Sequence, residues 1–396
     1  MSILRHLRGR ARWALALLTT AAPALGADLV TARPHAFVLG PSRGSATAPG
    51  VDPAHSRQAT ELPALDTARV SWRRHLPGGI GCNALVDADG RIFVAGLGRV
   101  TQLGPDGALQ FSQGERFSGA VAAALLADGT RAVLTREGSL FGWSPSGAVA
   151  FELALEVPAA PSTSSLLPLP DGGALASVGA WLFEIDATRS VRAYAVLAAA
   201  AQHTLLAGAR ALVIDEQGRV FEWDRREPLR AMGSFGSPIV AALVDGDSLI
   251  ALSSRRSLLR MARSDGGVRE LARLDAPGVS PVLGRVTTGR WTLMKHDGTW
   301  FSLERDVAPH ALAMRRDPAG LSDIDLLVDA TGAVAWWASE SPLRLETAPG
   351  VGRELSDVRC TVPASLVPAG PGRLLAACSS GLIWLVGPEP ASNAAR

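Results

Sequence analysis

A unit of about 40 residues recurs eight times in this 396-residue chain, and no other feature limits the fold as tightly. Each unit carries a short apolar run, a Gly-centred turn, a second apolar run, another turn and an aromatic-rich run. The second runs show the register best. They are Gly90–Leu97, Arg131–Glu137, Gly173–Ala180, Ala209–Glu216, Asp247–Ser254, Gly289–His296, Gly332–Ser339 and Gly372–Ser379, with starts 36 to 43 residues apart. Asp89-Gly90, Asp128-Gly129, Asp171-Gly172 and Asp245-Gly246 mark hairpins, because tight turns need backbone with positive φ. Third runs such as Leu140–Trp143 and Val220–Trp223 alternate with the period of a strand. A fourth, more polar run ends the unit, as at Val268–Asp275.

One such unit cannot bury both its faces, so units must stack. The expected fold is therefore all-β: an eight-bladed β-propeller of four-stranded antiparallel blades, with seven blades as the alternative count. The eighth unit stops at Trp384–Gly387 and lacks its fourth strand. Val70–Leu76 stands alone before the first unit, and Arg69–Gly79 reads like Val268–Gly278. The N-terminal strand is thus expected to complete the last blade and close the ring. Tyr194–Arg210 is Ala-rich and suits a helix by propensity; the repeat period overrides this and assigns strands.

Residues 1–26 read as a secretory signal peptide. Arg5, Arg8, Arg10 and Arg12 precede a short apolar run, and Ala24-Leu25-Gly26 supplies small residues for cleavage. Residues 27–66, rich in Pro, Ala and Ser, read as a mobile linker. The propeller takes 67–388, and 389–396 form a polar tail. No apolar stretch is long enough to span a bilayer. Without the four signal arginines, 35 basic residues face 37 acidic ones, so the mature chain carries −2 and the pI near 8.7 belongs largely to the leader. Nucleic-acid binding loses its electrostatic support.

Segments Val100–Phe111 and Leu140–Phe151, an aromatic strand followed by a Pro-Asp-Gly-type turn and a fourth strand, resemble repeats of the pyrroloquinoline-quinone-type β-propellers. That resemblance spans about four-fifths of the chain. It implies either a quinone-dependent dehydrogenase or a non-enzymatic propeller like the periplasmic subunit of the outer-membrane barrel-assembly machinery. The adjacent Cys-Cys pair of many of those dehydrogenases is missing, and no calcium-binding set aligns. The chain also lacks the lipobox Cys of the assembly subunit.

Among candidate sites, Asp87-Ala-Asp89-Gly90 resembles a calcium loop but has no later ligands in register, so a hairpin turn is expected. Gly40-Pro-Ser42-Arg-Gly44 matches a nucleophile elbow yet lies in a Pro-rich stretch. The seven His show no metal-ligand spacing. Trp143, Trp223, Trp300 and Trp384 are assigned to packing between blades. Cys360 and Cys378 are the disulfide candidates, on consecutive strands of the last blade; Cys82 is left over. Innermost strands should start at one end of the channel with a polar ring of Asn83, Ser118, Thr163, His203, Ser237, Ser280, Asp323 and Thr361. Within it Asn83, His203, Asp323 and Asp325 are the channel-mouth ligand candidates, the two Asp alternating toward one side. His203 would ordinarily cap a strand there.

These observations point to an exported, periplasmic or secreted monomer without catalytic residues, metal or cofactor. It would present one ring face to a protein partner at the cell envelope, with no nucleic acid and no membrane span. The alternative is a propeller that holds a small ligand or quinone in its channel as an enzyme or sensor. Converging polar groups in the channel mouth would favour the second reading, and an exposed apolar face the first.

Overall fold

A computed structural model describes residues 44–46, 52, 54–114, 119–157, 163–224, 228–273, 282–294, 300–304, 307–313, 323–348 and 351–388. The proposed signal peptide and polar tail lie outside these residues. The regular elements among the described residues are all strands, arranged as eight four-stranded antiparallel blades. None of the described residues forms a helix long and apolar enough to cross a membrane.

The second strands fall where the repeat places them, from Ile92–Ala95 in blade 1 to Leu374–Cys378 in blade 8. Their hairpins use the Asp-Gly turns as anticipated: Gly90, Gly129, Gly172 and Gly246 have φ of 73°, 83°, 91° and 58°. The Ala-rich stretch forms two strands, Val191–Val196 and Ala201–Ala207. Tertiary pairing overrides helix propensity there, since each strand gains a ladder with its neighbour in the blade. Each blade carries a register shift between its third and fourth strands. Such bulges add twist, as tightly packed propeller blades require.

The ring is closed by Arg69–His75, which pairs antiparallel with Leu382–Gly387 as the outermost strand of blade 8. Packing between blades makes the core. Trp143 joins Leu85 and Phe93 of blade 1, and Trp337 of blade 7 meets Trp384 of blade 8 edge-on at 5.7 Å. Trp223 and Trp300 are likewise buried between blades.

Cys360 and Cys378 are bonded, with Cα atoms 5.8 Å apart. Their placement differs from the expected one. Cys360 lies just beyond Val351–Arg359, the outer strand of blade 7, so the bond ties the junction of blades 7 and 8. The closed loop spans 18 residues, which corresponds to about 3 kcal/mol of chain entropy. Reduction is expected to lower stability by about that amount, read as a shift in the urea midpoint with reductant. An unchanged midpoint would show that the bond contributes nothing.

Candidate functional site

The stretch read as a mobile linker behaves otherwise in its described part. Ala54–Ala59 threads the channel and is held by backbone bonds to the innermost strands of three blades. Val244 N–H donates to Ala54 O at 3.0 Å, Arg285 N–H to Ser56 O at 2.8 Å and Val328 N–H to Arg57 O at 3.0 Å. Ala59 N–H returns a bond to Val328 O at 2.8 Å. Ala59 and Leu62 then enter the core between blades 7 and 8 beside the disulfide. Further upstream, Gly44–Ala46 pairs with Leu85–Asp87 of blade 1. Composition suggests a linker because Pro and Ser favour turns and the stretch shows no apolar period. The docking arises because innermost strands leave one edge of N–H and C=O groups unpaired toward the channel, and an extended segment satisfies them.

This plug leaves a partly open cavity of about 330 Å³ against blades 7, 8, 1, 2, 3 and 4. The innermost strands begin at its mouth. Of the four channel-mouth candidates, Asn83, His203 and Asp325 line it. Two further walls come from the plug, His55 and Arg57. Nothing in the linker's composition marked these two; the sole hint was a polar His-Ser-Arg-Gln run between Ala54 and Ala59.

Asp323 does not join them. It has φ of 49°, is exposed, and accepts a bond from Ser339 Oγ at 2.9 Å. The alternation expected for Asp323 and Asp325 fails because Asp323 precedes the strand Asp325–Val328 and its left-handed backbone breaks the pleat. From the expected polar ring, Ser118 and Ser280 lie outside the described residues, as do residues 40–43 of the elbow-like motif. Asp87–Gly90 forms a turn: Asp87 Oδ1 accepts the N–H groups of Asp89 and Arg91 at 3.0 and 2.9 Å.

Asp325 anchors the floor of the cavity. Its Oδ1 accepts from Arg57 Nη1 and from Leu326 N–H, the latter at 2.9 Å, and its Oδ2 accepts Leu366 N–H at 2.6 Å. One carboxylate thus ties the plug to blades 7 and 8. His203 lies within its strand rather than before it, just after a bulge between Ala201 and His203. Its Nε2 donates to Ile239 O at 3.1 Å, which leaves Nδ1 with the lone pair in the neutral ring.

Burial holds both imidazoles neutral. His55 falls to about 3, first through desolvation, then through His203 and the Arg57 charge. His203 is lowered by desolvation against the opposing bond to Ile239. The Cys82 thiol, also in the wall, is pushed up to about 12 by burial, and its Sγ points to Ala95 O at 3.8 Å. It is therefore no nucleophile at neutral pH. Asn83 Nδ2 is buried without a hydrogen-bond partner. Among the described residues no Phe, Tyr or Trp lines the cavity. Among the described residues no group of three or more His, Cys, Asp or Glu is placed to hold a metal ion.

No sequence-family model matches the chain, and no characterised protein matches it by sequence. Solved structures do resemble it. The computationally designed Ika8 protein aligns over 83% of this chain and 99% of its own, with TM-score 0.62 and 10% identity. Virginiamycin B lyase from Staphylococcus aureus covers 81% of this chain and 99% of its own, with TM-score 0.54 and 10% identity. BamB from Moraxella catarrhalis covers 82% and 100%, with TM-score 0.50 and 12% identity. At such identities the likeness is one of fold, and it places this chain among the β-propeller proteins.

Proposed function

We propose that this chain is a binding β-propeller whose channel mouth holds a small polar ligand. One observation carries the reading: residues from six blades and from the plug converge on a single cavity of about 330 Å³, one of them bearing a buried amide donor with no protein partner. Few concave sites of this size occur in a protein, and convergent polar groups are their usual mark. The similar lyase is, as its name says, an enzyme acting on virginiamycin B. Here burial makes both imidazoles weak bases and keeps the thiol protonated. That supports binding rather than catalysis.

The protein-docking reading has weaker support. Leu97, Val196, Val240 and Val362 are exposed, but they come from different parts of the ring and include no aromatic residue. Export is supported by the leader-like sequence of residues 1–26 and by the Cys360–Cys378 bond, which suits an oxidising compartment.

A thermal-shift screen of polar small molecules against the full chain tests the reading. A ligand at about 100 times its Kd adds about 2.7 kcal/mol, or several degrees in Tm. Asn83→Leu, which replaces the buried amide donor with an apolar side chain of similar shape, is expected to abolish the shift while leaving the ligand-free Tm close to the parent's. A screen without a responder, together with crosslinks from the ring face to a protein partner, would sink the proposal.

A further inference from the structure

We propose that the ligand of this cavity carries a carboxylate, anchored by Arg57 of the plug and by donors from blades 1 and 8. The inference rests on the binding reading above and names the chemistry of its ligand. It follows from which hydrogen-bonding capacity in the cavity is spent and which is not.

The carboxylate acceptor in the lining is spent. Asp325 receives three bonds, from Arg57, Leu326 and Leu366. Ser165 Oγ is shared with Ser177 and Thr204, at 2.7 Å each. The donor side is not. A guanidinium has five N–H groups in a planar fork, and Arg57 commits only Nη1. Its Nε and Nη2 have no protein partner among the described residues. Asn83 Nδ2 is buried and unpartnered. Ser365 Oγ accepts Ala84 N–H at 3.1 Å, so its own proton remains to be donated. All three residues line the cavity. A buried donor left unmade is costly, and an acceptor from a ligand removes that cost.

Among the described lining residues Arg57 carries the one formal positive charge, and the Asp325 carboxylate, also in the lining, balances it and fixes the guanidinium through Nη1. A planar fork with two unspent nitrogens matches the two oxygens of a carboxylate. The backbone supplies an independent pointer. His55 and Arg57, the two plug residues that line the cavity, have left-handed φ of 57° and 51°. Such backbone is uncommon in residues with side chains and collects where a side chain must be aimed.

The test uses the full chain with saturation-transfer NMR and thermal shift. The carboxylate probes are acetate, succinate and N-acetylglycine. The matched neutral probes are acetamide and succinamide; ethylenediamine serves as the cation and inorganic phosphate as the other oxyanion. The expected result is binding by at least one carboxylate and by neither its amide nor the amine. Arg57→Gln is expected to weaken it by about tenfold or more, the loss typical of a charge-assisted bond. Because that change also loosens the plug, Asn83→Asp serves as the second variant. It keeps the shape and sets a negative charge against the ligand, so it should abolish carboxylate binding with little change in the ligand-free Tm. Preference for amide, amine or phosphate would overturn the carboxylate while leaving the pocket in place, as would carboxylate binding that survives both substitutions. Silence from every probe class would overturn both the carboxylate and the binding reading.

Discussion

Replacing Arg69–His75 with Gly and Ser residues of equal length will leave most of the protein without a closed ring. The strand contributes at three levels. Its backbone pairs Arg69 with Gly387, Val70 with Val386, Trp72 with Leu385 and His75 with Leu382. Val70 and Trp72 pack on the clusters at the two sides of blade 8. It also reaches blade 1: Trp72 Nε1 donates to Pro105 O at 3.1 Å and Arg74 Nε to Gly107 O at 3.0 Å. Gly107 has φ of 78°, and a Cβ there would lie 2.8 Å from the Trp72 ring, so the seam needs this glycine. Each Gly in a strand costs about 0.5–1 kcal/mol. Summed over the strand, with the lost Trp72 packing, that is on the order of 5 kcal/mol or more, comparable to the whole stability of a typical domain. The check is urea unfolding followed by near-UV circular dichroism. A single cooperative transition with the parent midpoint would disprove the seam's importance.

The second large effect concerns a buried cation between blades 1 and 2. Arg131, on the second strand of blade 2, has a side chain only 2% exposed and pairs with Asp87 at the end of the innermost strand of blade 1. Burial lowers the Arg131 pKa, and the Asp87 charge opposes that. Removing one partner of a buried pair leaves an uncompensated charge, which costs about 3–5 kcal/mol. Asp87→Ala should therefore lose about that much, with part of the loss coming from the turn that Asp87 caps. Asp87→Asn retains a turn acceptor and isolates the charge. Asp87→Ala combined with Arg131→Met should recover most of the loss, because an apolar side chain suits the site. Equilibrium urea curves at constant m decide it. If Asp87→Asn stays within about 0.5 kcal/mol of the parent, the pair is not holding the blades together.

The architecture was readable because it is periodic. Asp-Gly turns, alternating apolar strands and a spacing near 40 residues encode local structure, and local structure repeated eight times leaves one way to bury its faces. Ring closure was readable for the same reason, as an unmatched strand at one end and a missing one at the other. The candidate site was readable in part. Asn83, His203 and Asp325 were accessible because they begin or lie near innermost strands, whose position in a propeller is known once the repeat is known. Asp323 was misplaced because a single left-handed residue reverses a side chain, and no pattern announced it. Cys360 was assigned to the wrong blade edge because its strand boundary falls in an irregular connection.

The sequence by itself determined the propeller repeat, the closing strand and the packing tryptophans, since each follows from hydrophobic period and turn chemistry within about 40 residues; the structure decided eight blades over seven. Only the tertiary structure decided that His55 and Arg57 belong to the site. Their placement depends on bonds between a segment of no evident pattern and the free edges of strands nearly 200 to 270 residues away. Such long-range pairing is set by which backbone groups remain unsatisfied once the ring has closed, and no local property of the plug carries that information.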